Sequence, residues 1–170
     1  MRGRSIAVMA PLVIALAVGC ATTTVPTSDT TPPHMNWVVS TGSVDREIYD
    51  TGSVSSAPGD LVEIWLIGHD HEGVKSMTIS GVYTVRCQSA ADQGRHDRQA
   101  TYPKVDVSYD GGPGSEAFQG APVEDEITPA TGCDAGLTWL GTTSVMTGVV
   151  TNFFGLSTRD TLTVETTPPA

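Results

Sequence analysis

Basic residues are scarce in this chain: nine Lys and Arg stand against nineteen Asp and Glu, a formal charge of −10 over 170 residues. That deficit excludes nucleic-acid binding, which needs a basic face to displace counterions, and docking on anionic lipid through charge. Long apolar runs are missing too. The longest uncharged apolar stretch, Ile6 to Val18, falls short of the ~20 residues that cross a bilayer as a helix. From Met35 onward no segment keeps a helical period for ten residues, which excludes a helical domain. Cysteine occurs only at positions 20, 87 and 133, so the chain is not a disulfide-dense scaffold.

What the start of the chain does carry is an export segment. Arg2 and Arg4 precede the apolar stretch, and Leu16-Ala17-Val18-Gly19-Cys20 closes it with small residues before a thiol. These residues resemble the lipobox of bacterial lipoproteins, with Ala17 where that pattern more often has Leu. The resemblance covers about the first twenty residues. It implies cleavage before Cys20, acylation of that thiol and a lipid anchor on the extracytoplasmic side of the cell membrane. The alternative is a Sec signal peptide cut near Gly19 that merely ends in Cys. Residues 1–19 are thus expected to be a signal peptide; their loss takes two of the nine basic residues and leaves seven against nineteen acidic, a charge of −12. Ala21 to Pro33, ATTTVPTSDTTPP, is rich in Thr and Pro and has nothing periodic to bury. Residues 20–33 are expected to be a lipid-anchored tether with a reach of roughly 20–40 Å. Such a stretch also resembles the O-glycosylated stalks of some envelope lipoproteins.

Residues 34–170 are long enough for one domain with a real core, and their pattern has period two. Met35, Trp37 and Val39 alternate with polar residues, and Arg46 to Tyr49 can form a short second strand. Ala57-Pro58-Gly59-Asp60 signals a turn into Leu61 to Ile67, where Val62, Ile64 and Leu66 share one face. After His69 to Gly73 turns the chain, Val74 to Cys87 returns with Met77, Ile79, Val85 and Cys87 on one parity. Gly81 is expected to mark a bulge. Leu137 to Phe154 and Leu156 to Glu165 make a final hairpin across Gly155, with Leu162 and Val164 facing in.

The pattern predicts an all-β fold, and the spacing of the strands suggests a β-sandwich with antiparallel sheets. Two segments, HDHEGVKSMTIS and TGVVTNFFGLSTRDTLTV, resemble a turn-and-strand and the closing hairpin of bacterial immunoglobulin-like domains. Together they cover about thirty residues and imply an immunoglobulin-like sandwich. The Cys–Trp–Cys spacing of true immunoglobulin domains is missing. With Cys20 assigned to lipid, Cys87 and Cys133 remain as a pair in an oxidising compartment and are expected to form a disulfide. The bridge would close a long insertion, Gln88 to Gly132, rich in Gly, Pro, Asp and Gln. Such an insertion is either a loosely packed loop or a constrained binding loop displaying Tyr102, Tyr109 and Phe118.

Chemistry is hinted at only by His69 and His71, with Asp70 and Glu72 beside them. Alternate residues of a strand share a face, and a His-x-His pair can ligate Zn or Cu. The string GHDHEG resembles copper–zinc superoxide dismutase, but that family uses six His and this chain has four. Calcium held by Asp70, Glu72 and a distant carboxylate is a further possibility of the same turn. Ser53, Ser80 and Ser144 lie on no nucleophile elbow, Asp110-Gly111-Gly112 is no phosphate loop, and Glu124-Asp125-Glu126 is a Pro-flanked charge run. The expectation is therefore an envelope lipoprotein whose β domain binds or scaffolds without catalysis or cofactor. Its partner would be an envelope protein or glycan. The alternative is a metal-binding or metal-dependent envelope protein built on the His69/His71 turn.

Overall fold

Wherever apolar residues recur on one parity the chain forms strand. The computed structural model describes residues 28–41, 45–49, 52–110, 112 and 123–169, of which 45–49 only as backbone. The export segment, Cys20 and Phe118 lie outside the described residues. Among the described residues there is no helix. Ten strands follow one another: β1 (His34–Ser40), β2 (Asp45–Tyr49), β3 (Gly52–Ser56), β4 (Val62–His69), β5 (Val74–Ser89), β6 (Arg98–Thr101), β7 (Val105–Ser108), β8 (Val123–Ile127), β9 (Leu137–Asn152) and β10 (Ser157–Thr166). One sheet has the order β2-β1-β4-β8 and the other β3-β10-β9-β5-β6, with β7 pairing β5 beyond the end of β6.

The inward parities of both sheets meet in one core. Trp37, Ile64 and Leu66 come from the first sheet and Met77, Ile79, Met146 and Leu162 from the second, all fully buried. Each contributes roughly 1.5–3 kcal/mol of transfer free energy. The sheets approach closely over Gly148, where an added Cβ would lie 2.7 Å from the Trp37 ring and 2.7 Å from Met35 Cε. The absent side chain is what lets the indole cross between the layers.

Several expectations hold in detail. Val62, Ile64 and Leu66 are buried on β4, as are Met77, Ile79, Val85 and Cys87 on β5 and Leu162 and Val164 on β10. The turn at Ala57 closes through the Asp60 amide donating to the Ala57 carbonyl at 3.2 Å. Cys87 and Cys133 form the disulfide, with Cα atoms 6.0 Å apart.

Other expectations are corrected. The sheets are not purely antiparallel, because β3 pairs parallel with the last strand, Val54 opposite Val164. Gly81 marks no bulge. Its ladder to Met146 is regular, and the register shifts fall at Val74/Ser76 and Arg86/Cys87. Glycine is needed there because the Met146 side chain and the Tyr102 ring occupy the space of a Cβ. The disulfide-closed segment is not an insertion either. It supplies β6 and β7 to one edge of the second sheet and β8 to the edge of the first, where Val123 and Ile127 enter the core. Each strand is only four or five residues long, and borrows its order from a longer neighbour already in place. Residues just ahead of β1 also touch the sheets. Pro33 is buried, its carbonyl accepts the Thr158 hydroxyl, and Asp29 is bonded to Asn152.

Candidate functional site

Polar side chains converge at the end of the fold where the tail enters. His34 and His69 are the last cross-strand pair of β1 and β4. Beyond His69 the chain turns at once: the Gly73 amide donates to the Asp70 carbonyl at 3.3 Å, and Gly73 sits at φ 101°, a conformation that favours glycine. Asp70 is 4% exposed, and its Oδ1 accepts the Glu72 amide at 2.9 Å, an Asx turn.

Asn152, fully buried at the end of β9, organises the rest. Its Oδ1 accepts the amides of Phe154 at 3.0 Å and Leu156 at 2.9 Å, closing the β9–β10 hairpin. Its Nδ2 donates to Asp29 at 2.6 Å and to Asp70 at 3.3 Å. One amide thus joins the hairpin, the turn after β4 and the tail. Carboxylate oxygens of Asp29, Asp70 and Glu72 come to lie within 4.8 Å of one another, beside a 280 Å³ depression lined by Thr31, Pro32, His34, His69, Asp70, His71 and Glu72.

The convergence is of carboxylates, not imidazoles. Among the described residues, the groups of at least three ligand atoms that close to metal-binding distance are this trio and Glu63, Glu124 and Glu126; neither contains His69 or His71. Oxygen donors of this kind suit a hard cation such as Ca²⁺ rather than Zn or Cu. His34, Asp29 and Asn152 were not candidates in the sequence. Asp29 and Asn152 are 123 residues apart, and nothing in a local pattern links them.

The two described aromatics of the proposed binding loop reach back to the core. Tyr102 and Tyr109 lie half-buried against the core. The Tyr102 hydroxyl is 2.9 Å from the buried Ser144 hydroxyl, and its ring stands 5.0 Å from that of Tyr83. Burial raises the phenol pKa of both Tyr102 and Tyr109. Near the disulfide a second, 480 Å³ depression is lined by Cys87, Cys133, His96, Arg98 and Asp134, among others. Its Arg98–Asp134 pair is exposed and 4.0 Å long, too loose to orient a substrate. The chain matches no family model, and no curated protein is similar to it in sequence.

Proposed function

We propose that the protein is a cell-envelope lipoprotein, anchored through Cys20, whose β domain is a non-catalytic binding or structural module. The observation that carries this reading is the docking of Asp29 to Pro33 onto the domain by Asn152 and Thr158. It ties the domain firmly to the chain that leads to the lipid, as a mounted module requires. Strand order supports an immunoglobulin-like fold: β1-β4-β8 and β10-β9-β5-β6 follow the A-B-E and G-F-C-C′ orders of that sandwich. The charge of the mature chain leaves an envelope protein or a glycan as partner, and not nucleic acid. The test is Cys20→Ser in the full chain. Anchoring predicts release from the membrane or an uncut precursor; unchanged partitioning into detergent would overturn it.

A second reading, a metal-binding envelope protein using the turn that bears His69 and His71, is favoured by the meeting of Asp29, Asp70 and Glu72. Calcium would then link the tail to the turn. Elemental analysis and calcium titration of the purified chain, with Asp70→Asn as control, decide it. Stoichiometric metal lost in the variant supports this reading, and none in the wild type removes it.

A further inference from the structure

The outer face of the second sheet is uncharged to a degree unusual in so acidic a protein. Following the registers across β3, β10, β9, β5 and the β6/β7 edge gives five rows of outward side chains, and fourteen of the twenty-one positions are Ser or Thr. Val82 and Val145 stand side by side on the two central strands, one row in from Glu165, and are 36% and 38% exposed. Glu165 is paired with Arg86 at 3.2 Å at one end. Asp106, on β7, and Arg159, on β10, share one row, in which Thr78 and Val149 separate them.

We propose that this face binds a second copy of the same chain. A two-fold axis lying between β5 and β9, parallel to the strands, maps the face onto itself in a self-complementary way. Val82 then faces Val145 of the second copy and Arg159 faces its Asp106, each contact occurring twice. Glu165 meets Gln99 of the second copy, and Arg159 approaches an Asp106 that also accepts the Thr78 hydroxyl at 2.7 Å and pairs with Lys104 at 2.8 Å. Apolar side chains on the central strands, hydroxyls around them and charge on the outer strands resemble the anatomy of a protein interface. Four strands spaced ~4.8 Å apart and five rows spaced ~6.7 Å apart cover about 600 Å² per copy, or ~1,200 Å² in all, at the low end for a specific complex. The same axis puts both tails at the same end of the dimer, because β1 starts and β9 ends where Asp29 is docked. Two chains anchored in one membrane can therefore meet through this face.

Sedimentation equilibrium of the full chain in non-ionic detergent tests the pairing. A monomer–dimer equilibrium in the micromolar range is expected. Arg159→Asp or Asp106→Arg alone should weaken association at least tenfold, and the two together should restore it, since the swapped charges meet again. Both positions are exposed, and unchanged melting curves would show that the variants fold. A chain that stays monomeric at 100 µM would overturn the proposal, as would a double variant no better than the singles. So would a monomeric wild type that sediments with envelope polysaccharide and loses this in Val145→Glu, which would assign the face to a glycan.

Discussion

Replacing Cys87 and Cys133 together by Ala removes the one covalent constraint on the described domain and leaves no thiol among the described residues. The bridge spans 46 residues, and closing a loop of that size removes unfolded-chain entropy equivalent to about 4 kcal/mol. Cys87 is 3% exposed, so truncating it adds on the order of 1 kcal/mol of lost burial. At roughly 3 °C per kcal/mol for a domain of this size, Tm should fall by ~12–15 °C. The native contacts of β6, β7 and β8 do not depend on the bridge, so near-ultraviolet circular dichroism below the transition should match that of the oxidised wild type. Thermal melts with and without reductant supply the control: reductant should bring the wild type down to the variant and leave the variant unmoved. A fall of less than ~3 °C would refute the loop-entropy argument. Loss of near-ultraviolet signal at low temperature would refute the claim that the three short strands belong to the sheets independently of the bridge.

Gly148→Ala should destabilise by about 1–3 kcal/mol, because the new methyl meets Trp37, Met35 and Leu66 within 2.9 Å; a melting temperature equal to wild type would mean that the core is looser than described. Asn152→Ala should cost at least ~2 kcal/mol, since the Phe154 and Leu156 amides lose their acceptor at about 1–3 kcal/mol each. The same change should expose residues 28–33 to protease below the melting transition, whereas a tail as resistant as in wild type would show that Asn152 does not hold it. Burial raises the Asp125 carboxyl pKa, so the native state binds that proton more readily than the unfolded chain. Stability on this account falls as pH rises from the ordinary carboxylate value through the raised one, and then levels. Asp125→Asn should accordingly be more stable than wild type at pH 7, by a margin that closes below the ordinary carboxylate range; a margin constant with pH would assign the effect to packing instead.

The parts of the fold legible in the sequence are those in which one strand carries its own evidence. On β4, Val62, Ile64 and Leu66 announce both the strand and its buried face, and β5 does the same through Met77 and Ile79. On β7 only Val105 and Val107 alternate, half-buried at the edge, and on β8 the string VEDEI looks like a solvated charge run until Val123 and Ile127 are seen to flank it in the core. Such strands are ordered by their neighbours, and composition cannot show a neighbour. The parallel pairing of β3 with β10 is hidden for the same reason. At the candidate site the sequence exposed the residues adjacent in the chain, His69 to Glu72, and offered both the imidazole pair and a calcium set of Asp70, Glu72 and a carboxylate it could not name. The tertiary fold adds Asp29 and Asn152 and makes carboxylates the converging groups.

The distribution of charge separates the two outer faces in a way that total charge does not. If acidity served only solubility, outward positions of both sheets would carry it alike. On the first sheet Glu63 lies directly opposite Glu126, with Glu124 two residues along the edge strand β8. Like charges facing each other across a ladder are destabilising, and they persist here on an edge, where charge blocks pairing with another strand. The second sheet bears Ser and Thr at the corresponding outward positions, with Val82 and Val145 at the centre and its few charges of both signs at the margin. The β8 edge of the first sheet is thus defended against strand pairing, whereas its outer face beyond Glu63 carries Val38, Trp65 and Ile67. Two strongly acidic chains can approach only where neither carries its acidity, and the central strands of the second sheet, with Ser, Thr, Val82 and Val145 facing out, offer such a surface.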